Sequence, residues 1–221
     1  MKVGIVGAGR IGGGIARQLA DVGHEVMLSF SRDPSSLEAL AAEIGPGATT
    51  GSPAEAVGFG EVVVISVPWG TWPQALEQMG SVAGKIVIDT TNQFGAPPLP
   101  AAGETAAHFN AGRLPGARYT KSFNTLTSAF QAQTASRQGT EKVVQWLCGD
   151  DAGAKQVVAG LITDAGFVPV DLGGTAGCDK RAAAALELAR RHPEDEAAVA
   201  GLAQALERIG ALPPAFTSPA L

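Results

Sequence analysis

The chain has 221 residues, 45% hydrophobic and 17% charged, which allows one substantial buried core and suits a compact globular protein, not a disordered one. A formal net charge of −5 gives no basis for a general nucleic-acid surface, and no apolar run reaches the ~18 residues that a bilayer span needs. The opening "MKVGIVGAGR" passes straight into a strand and a glycine loop, without a signal-peptide pattern. Two cysteines, Cys148 and Cys178, are too few for a disulfide framework, and His24, His108 and His192 have no metal-ligand spacing. The expectation is a cytoplasmic, metal-free protein with no membrane or nucleic-acid partner.

In chain order, residues 2–6 read as a short buried strand and 12–22 as a helix with Ile15, Leu19 and Val22 on one face. A second strand is expected over 25–29. A helix over 35–44 follows, then a short strand at 48–50 and a brief helix at 53–57. The β-branched "EVVVISV" at 61–67 reads as a strand, 71–79 as a helix and "KIVID" at 85–89 as the next strand. Residues 93–116, rich in Pro, Gly and Ala, form a connection over the sheet with one short helix near 104–110. Strands at 118–122, 143–148 and 168–172 and a helix at 152–165 complete the alternation. Strands separated by helices pair in parallel, because parallel neighbours need a long crossover.

From residue 177 the pattern turns helical, with a break at His192-Pro193 and an apolar stripe of Val199, Leu202, Leu206 and Ile209. That stripe either packs on its own sheet or forms the seam of a homodimer. The expected architecture is α/β: a Rossmann-type, doubly wound, mostly parallel sheet over 1–173, with a small C-terminal helical region over 174–221.

Gly7-Ala8-Gly9-Arg10-Ile11-Gly12 matches G-x-G-x-x-G between a predicted strand and a predicted helix, the context that gives this short motif its value. The first glycine permits the turn, the second lets the backbone approach a pyrophosphate and the third lets helix and strand pack closely. Free amides and the dipole at the helix start attract phosphate charge.

An acid at the end of the second strand would hold the ribose hydroxyls of NAD and repel a 2′-phosphate. This chain offers Ser29, Ser31 and Arg32 there instead, within "SFSRDP". A guanidinium presents a planar fork to phosphate and hydroxyls donate, so NADP(H) is expected over NAD(H). Asp33 is the nearest acid and suits a helix cap before Pro34. Arg10 either reaches the same phosphate or is a solvated side chain.

The ordered motifs "VGIVGAGRIGGGIARQLADVGHEV", "SFSRDP", "VVVISVPW", "KIVIDTTN", "LPGARYTKSFNT", "LCGDDAGAKQVV" and "GFVPVDLG" cover roughly residues 2–173. Together they resemble the F420-dependent NADP oxidoreductases and the related reductase domain of the STEAP metalloreductases. The resemblance implies NADP(H) at the N-terminal unit and a flavin-like electron acceptor, F420 or a flavin, against the nicotinamide. It also implies that Ser31 and Arg32 hold the 2′-phosphate. The family commonly writes this turn Gly-Ser-Arg; Ser29-Phe30-Ser31-Arg32 reads as one residue longer, and either serine fills the family role.

Strand C-terminal ends border the ligand crevice of an open parallel sheet. Val67 and Pro68 are therefore expected near the nicotinamide ribose and Trp69 at the pocket wall. Thr90, Thr91 and Asn92 face the same crevice, with Ser122, Asn124 and Thr125 from the next strand. Asn124 either bonds the nicotinamide carboxamide or the acceptor ring, or caps a turn.

Hydride transfer between two such cofactors needs little acid–base machinery, and no catalytic residue is assigned. A non-catalytic NADP sensor is one alternative. A small-substrate dehydrogenase of the β-hydroxyacid or pyrroline-carboxylate reductase type is another; Lys121 keeps it open, although the chain after residue 173 is short for a helical substrate domain. After Gly173 the sequence "GTAGCDKRAAAALELARR" departs from the family's usual pattern, which leaves the acceptor open among F420, FMN, FAD, a quinone and a metal chelate.

Overall fold

The computed structural model describes residues 1–93, 97–136 and 142–178. The helices expected beyond residue 178, their apolar stripe and nearly all of the proposed C-terminal region lie outside the described residues.

Among the described residues eight strands form one sheet: β1 Lys2–Val6, β2 Glu25–Ser29, β3 Ala48–Thr50, β4 Val62–Ile65, β5 Ile86–Asp89, β6 Arg118–Ser122, β7 Val144–Gly149 and β8 Val168–Asp171. Their order is β3-β2-β1-β4-β5-β6-β7-β8. Every pairing is parallel except β6–β7, in which Thr120 stands opposite Gly149. The first six strands have the order of the doubly wound dinucleotide-binding fold, whose crevice opens where strand order reverses, here between β1 and β4. All four residues of β4 are buried. A sheet covered on both faces requires such continuous apolar runs, not alternation.

Among the described residues seven α-helices cover the sheet: α1 Arg10–Asp21, α2 Pro34–Ile44, α3 Pro53–Phe59, α4 Trp72–Met79, α5 Ala106–Gly112, α6 Ser128–Thr134 and α7 Ala152–Asp164. Ile15, Ala16 and Leu19 of α1 are buried in a cluster with Leu28, Val62, Val64, Phe123, Leu161 and Phe167. The opposite face packs Trp72 and Met79 of α4 against Val63, Ile65, Val87, Trp146 and Leu172. Each fully buried side chain of this size contributes about 1.5–3 kcal/mol.

Polar side chains set the helix starts. Asp33 caps α2, accepting from Ser35 N, with Pro34 in the first turn, as its sequence position implied. Ser52 and Glu55 cap each other's backbone at the start of α3. Asp151 accepts from Ala154 N at the start of α7. It also receives two bonds from Arg118, which, with that amide, hold its carboxyl well below the usual carboxylate range.

Two features depart from the sequence reading. Helix α6 was not anticipated; it starts at Thr127, whose hydroxyl accepts from Phe130 N. Cys148 and Cys178, which as a lone pair gave no reason to expect a bond, form a disulfide. It joins β7 to the segment after β8, and both cysteines are buried. The expectation of a cytoplasmic location loses the support it drew from cysteine usage. Among the described residues no helix is long and apolar enough to cross a membrane.

Candidate functional site

The turn from β1 into α1 separates three glycine roles. Gly7 has φ +100°, and a Cβ there would meet the Ser66 carbonyl and, at 2.8 Å, Val67 Cγ1. A Cβ on Gly12 would collide with the Gly7 carbonyl. Both are demanded by the protein's own packing. Gly9 differs: a Cβ there meets nothing within 4 Å. It is also the N-cap of α1, with no side chain capping the first amides. The protein leaves a glycine-lined space before unsatisfied N–H donors at a helix start, the environment a diphosphate requires.

The exit of β2 resolves the two serines. Ser29 is the last residue of the strand, fully buried, and its hydroxyl donates to the Ile5 carbonyl at 2.8 Å. That hydroxyl is committed inside the sheet, which corrects the expectation that Ser29 offers it to a phosphate. Phe30 follows with φ +57°, the left-handed conformation usually left to glycine. The turn therefore needs no extra residue: Phe30 takes the place of a glycine and Ser31-Arg32 follow. Ser31 is exposed, with its hydroxyl 2.8 Å from Ser36 Oγ. Arg32 is exposed and makes no ion pair among the described residues.

Beside the glycine loop, the ends of β4, β5 and β6 enclose a cleft of about 680 Å³. Of the residues expected at the site, Gly9, Arg10, Ile11, Val67, Pro68, Trp69, Thr91, Asn92 and Asn124 all line it, together with Thr90. Gly7, Ala8 and Gly12 shape the turn behind them, and Ser31 and Arg32 stand at the end of β2, on the other side of β1. A second groove of about 420 Å³ shares Arg10, Ile11 and Ser128 but runs along α1, α6 and the end of α7, away from the strand ends.

Trp69 is buried as a wall. Its Nε1 donates to the Pro98 carbonyl at 2.8 Å and its ring stacks on Phe109 with centroids 5.8 Å apart. Asn92 and Asn124 bond each other: Asn92 Nδ2 donates to the Asn124 carbonyl at 2.6 Å, and Asn124 Nδ2 to Asn92 Oδ1 at 3.0 Å. Each amide keeps a second N–H for another acceptor. Phe123, which precedes Asn124, is also left-handed at φ +57°. Gln131 of α6 was missed by sequence reasoning; its Nε2 fixes this turn by donating to the carbonyls of Phe123 and Leu126.

Ser122, Lys121 and two further polar residues, Asp171 and Arg113, lie elsewhere. Ser122 is buried and donates to the Trp146 carbonyl. Asp171 pairs with Lys155 at 2.8 Å. Lys121 is 2% exposed and its Nζ donates to the Thr91 carbonyl, so it presents no amine to the cleft. Arg113 lies over the rings of Trp72 and Phe109; burial pushes its guanidinium below its usual value while the Asp89 charge opposes that shift.

Residues 2–93 match the family model for NADP oxidoreductase, coenzyme F420-dependent. A hypothetical protein from Sinorhizobium meliloti, SMa0349, is 31% identical with a TM-score of 0.70, over 80% of this chain and 87% of that one. A candidate F420-dependent NADP-reductase from Arthrobacter sp. FB24 is 26% identical with a TM-score of 0.69, over 87% of this chain and 94% of that one. The imine reductase of Myxococcus stipitatus, in a variant complexed with NAD+, shares the fold at a TM-score of 0.63 and 16% identity, over 95% of this chain and 72% of that one. Mouse metalloreductase STEAP2 is 26% identical over 78% of this chain, which spans only 33% of the length of that relative. By motif order, strand order and these likenesses, the chain resembles the F420-dependent NADP oxidoreductases, whose family model its residues 2–93 match.

Proposed function

We propose that this protein binds NADP(H) across the β1/β4 crevice and transfers hydride between it and a flavin-like acceptor, F420 or a flavin, in the cleft lined by Trp69, Asn92 and Asn124. The observation that carries the reading is the pairing, one strand apart, of the open Gly9 cradle at a helix start without a side-chain cap with an exposed Arg32 that makes no ion pair among the described residues. In this fold the two nucleotide halves lie on either side of the strand-order reversal. The adenosine half falls over β1–β3, where Arg32 and Ser31 meet a 2′-phosphate, and the nicotinamide half over β4–β6.

Bound NADPH supplies the hydride from its nicotinamide. The chain's own part is to orient and to exclude water. Val67 and Trp69 are buried walls, and the spare amide hydrogens of Asn92 and Asn124 offer neutral hydrogen bonds to a carboxamide or a ring carbonyl. The described lining carries no carboxylate, imidazole or amine; its one ionisable side chain is Arg10. That suits an acceptor taking up hydride on a conjugated ring, where little proton transfer from the protein is needed. The engagement of Lys121 below the cleft weighs against a small-substrate dehydrogenase with a lysine acid.

The test is anaerobic NADPH oxidation, followed by absorbance, with F420, FMN, FAD, a quinone and a ferric chelate in turn. Turnover with F420 or a flavin is the expected result. Tight NADPH binding with no turnover across the panel favours the non-catalytic reading, and turnover with the quinone or chelate alone replaces the proposed acceptor.

A further inference from the structure

Under the cleft floor, β5 and β6 end in a charged pair with almost no access to water. Asp89 is fully buried, Lys121 is 2% exposed, and they are partners in the last register of the two strands. Lys121 Nζ is 3.5 Å from Asp89 Oδ2. The same Oδ2 accepts from Tyr119 OH at 2.6 Å and from Asn110 Nδ2 at 2.9 Å. Asp89 Oδ1 accepts from Thr91 N at 2.8 Å and from Thr91 Oγ1 at 2.7 Å. Lys121 donates to the Thr91 carbonyl. The Thr91 hydroxyl itself accepts from Trp72 Nε1 at 3.2 Å. The amide, the carbonyl and the hydroxyl of one residue are thus all clamped by a single ion pair and its neighbours.

A purely structural role explains this poorly. The adjoining registers, Val87 with Tyr119 and Ile88 with Thr120, hold the two strands together without an ion pair. Replacing a buried ion pair by apolar groups is often neutral for stability. What the pair holds is local: Thr91 is the residue immediately before Asn92, and Asn124 follows Lys121 by three positions. Neither Asp89 nor Lys121 lines the cleft, while Thr91, Asn92 and Asn124 do.

We propose that Asp89 and Lys121 are positioning residues for the nicotinamide side of the crevice: by fixing Thr91 they set the Asn92 amide against Asn124 at the geometry the cofactor meets. The inference rests on the cofactor reading above. Acting through Thr91, the pair influences the nicotinamide half and leaves the adenosine half, held by the glycine loop and Arg32, untouched.

The test compares two ligands by calorimetry: NADP+, and adenosine 2′,5′-bisphosphate, which carries the adenosine half alone. Lys121→Met is expected to weaken NADP+ about tenfold, or ~1.4 kcal/mol, and to leave the bisphosphate within about twofold. Tyr119→Phe, which keeps the ring and removes one donor to Asp89, is expected to show a smaller loss of the same selectivity. Should Lys121→Met not fold, Tyr119→Phe decides by the same criterion. In a double-mutant cycle, Lys121→Met combined with Asn92→Ala is expected to lose no more than Asn92→Ala alone, because the lysine acts through that amide. Equal weakening of both ligands, unchanged NADP+ binding or additive losses would overturn the proposal. Wild-type protein that binds neither ligand would refute the cofactor reading itself. Wild-type protein that binds both equally tightly would refute only the positioning role, since the nicotinamide half would then contribute nothing.

Discussion

Arg32 offers the sharpest separation of cofactor chemistry from fold. Its side chain is exposed and forms no ion pair among the described residues, so Arg32→Ala breaks no ion pair of the described structure. The turn around it is held by other groups: Ser31 Oγ accepts from Asp33 N at 3.2 Å, Ser36 Oγ donates to the Asp33 carbonyl at 2.6 Å, and Asp33 caps α2. The loss is therefore confined to whatever the guanidinium binds. A hydrogen bond to a charged group contributes about 1.5–3 kcal/mol, which corresponds to roughly a 10- to 150-fold rise in the Kd of NADPH. NADH, lacking the 2′-phosphate, should bind the variant and the wild type alike. Fluorescence titration of both nucleotides at two salt concentrations checks this. The NADPH preference of the wild type should shrink as salt rises, because an exposed charge pair is screened, and that of the variant should change little. Equal weakening of NADPH and NADH would show that Arg32 shapes the loop and does not read the phosphate, and would remove the ground for preferring NADP(H).

The glycines divide into two classes that a pair of substitutions can distinguish. Gly9→Val faces open space and should melt within a degree or two of wild type while losing nucleotide binding. Gly12→Val drives a side chain into the Gly7 carbonyl and should lose about 1–3 kcal/mol, several degrees of Tm, with or without ligand. A Gly9→Val protein that binds NADPH normally would refute the cradle. For the disulfide, the loop it closes, with a sequence separation of 30, corresponds to about 3–4 kcal/mol of stabilisation in the chain-entropy account. Mass spectrometry after alkylation under denaturing, non-reducing conditions should find no free thiol, and reductant should lower the Tm; two alkylated cysteines would refute the bond.

The parts of the site legible in the sequence are those whose geometry is local. Gly7, Gly9 and Gly12 declare a turn into a helix because their spacing is fixed by one strand, one turn and one helix start. Asp33-Pro34 declares a cap for the same reason. Ser29 and Ser31 were not separable even with the strand end at 29 in hand, since the distinction lies in which way each hydroxyl faces: Ser29 into the sheet, onto the Ile5 carbonyl, and Ser31 out. Nothing about a phenylalanine announces that it will adopt the backbone of a glycine, and Phe30 therefore read as an inserted residue. Helix α6 escaped because "TSAFQAQT" is short and carries no clear apolar stripe, although its alanines and glutamines favour a helix and Thr127 is a good cap. The Asp89–Lys121 pair and the disulfide depend on strand register and on a 5.9 Å Cα–Cα approach produced by tertiary packing, neither of which a linear pattern encodes.

The two left-handed phenylalanines show how the sheet delivers polar groups to its crevice. Each stands directly after a strand, Phe30 after β2 and Phe123 after β6, and each follows a buried serine whose hydroxyl is bonded to a neighbouring strand: Ser29 to the Ile5 carbonyl, Ser122 to the Trp146 carbonyl. A polar residue then emerges, Ser31 on the adenosine side and Asn124 on the nicotinamide side. A left-handed L-residue costs about 1–2 kcal/mol, and such conformations persist where the surroundings over-determine them. Here the serine pins the strand end and the ring anchors the turn. Phe123 is 1% exposed and packs edge-to-face on Phe167, and Phe30 packs against the core cluster that contains Trp72. Glycine would relieve the backbone at either place and would also release the anchor, leaving the following side chain free to swing. With phenylalanine the chain reverses at a fixed angle, so that opposite ends of one crevice receive a hydroxyl and an amide from the same short device, Ser-Phe-polar, used twice.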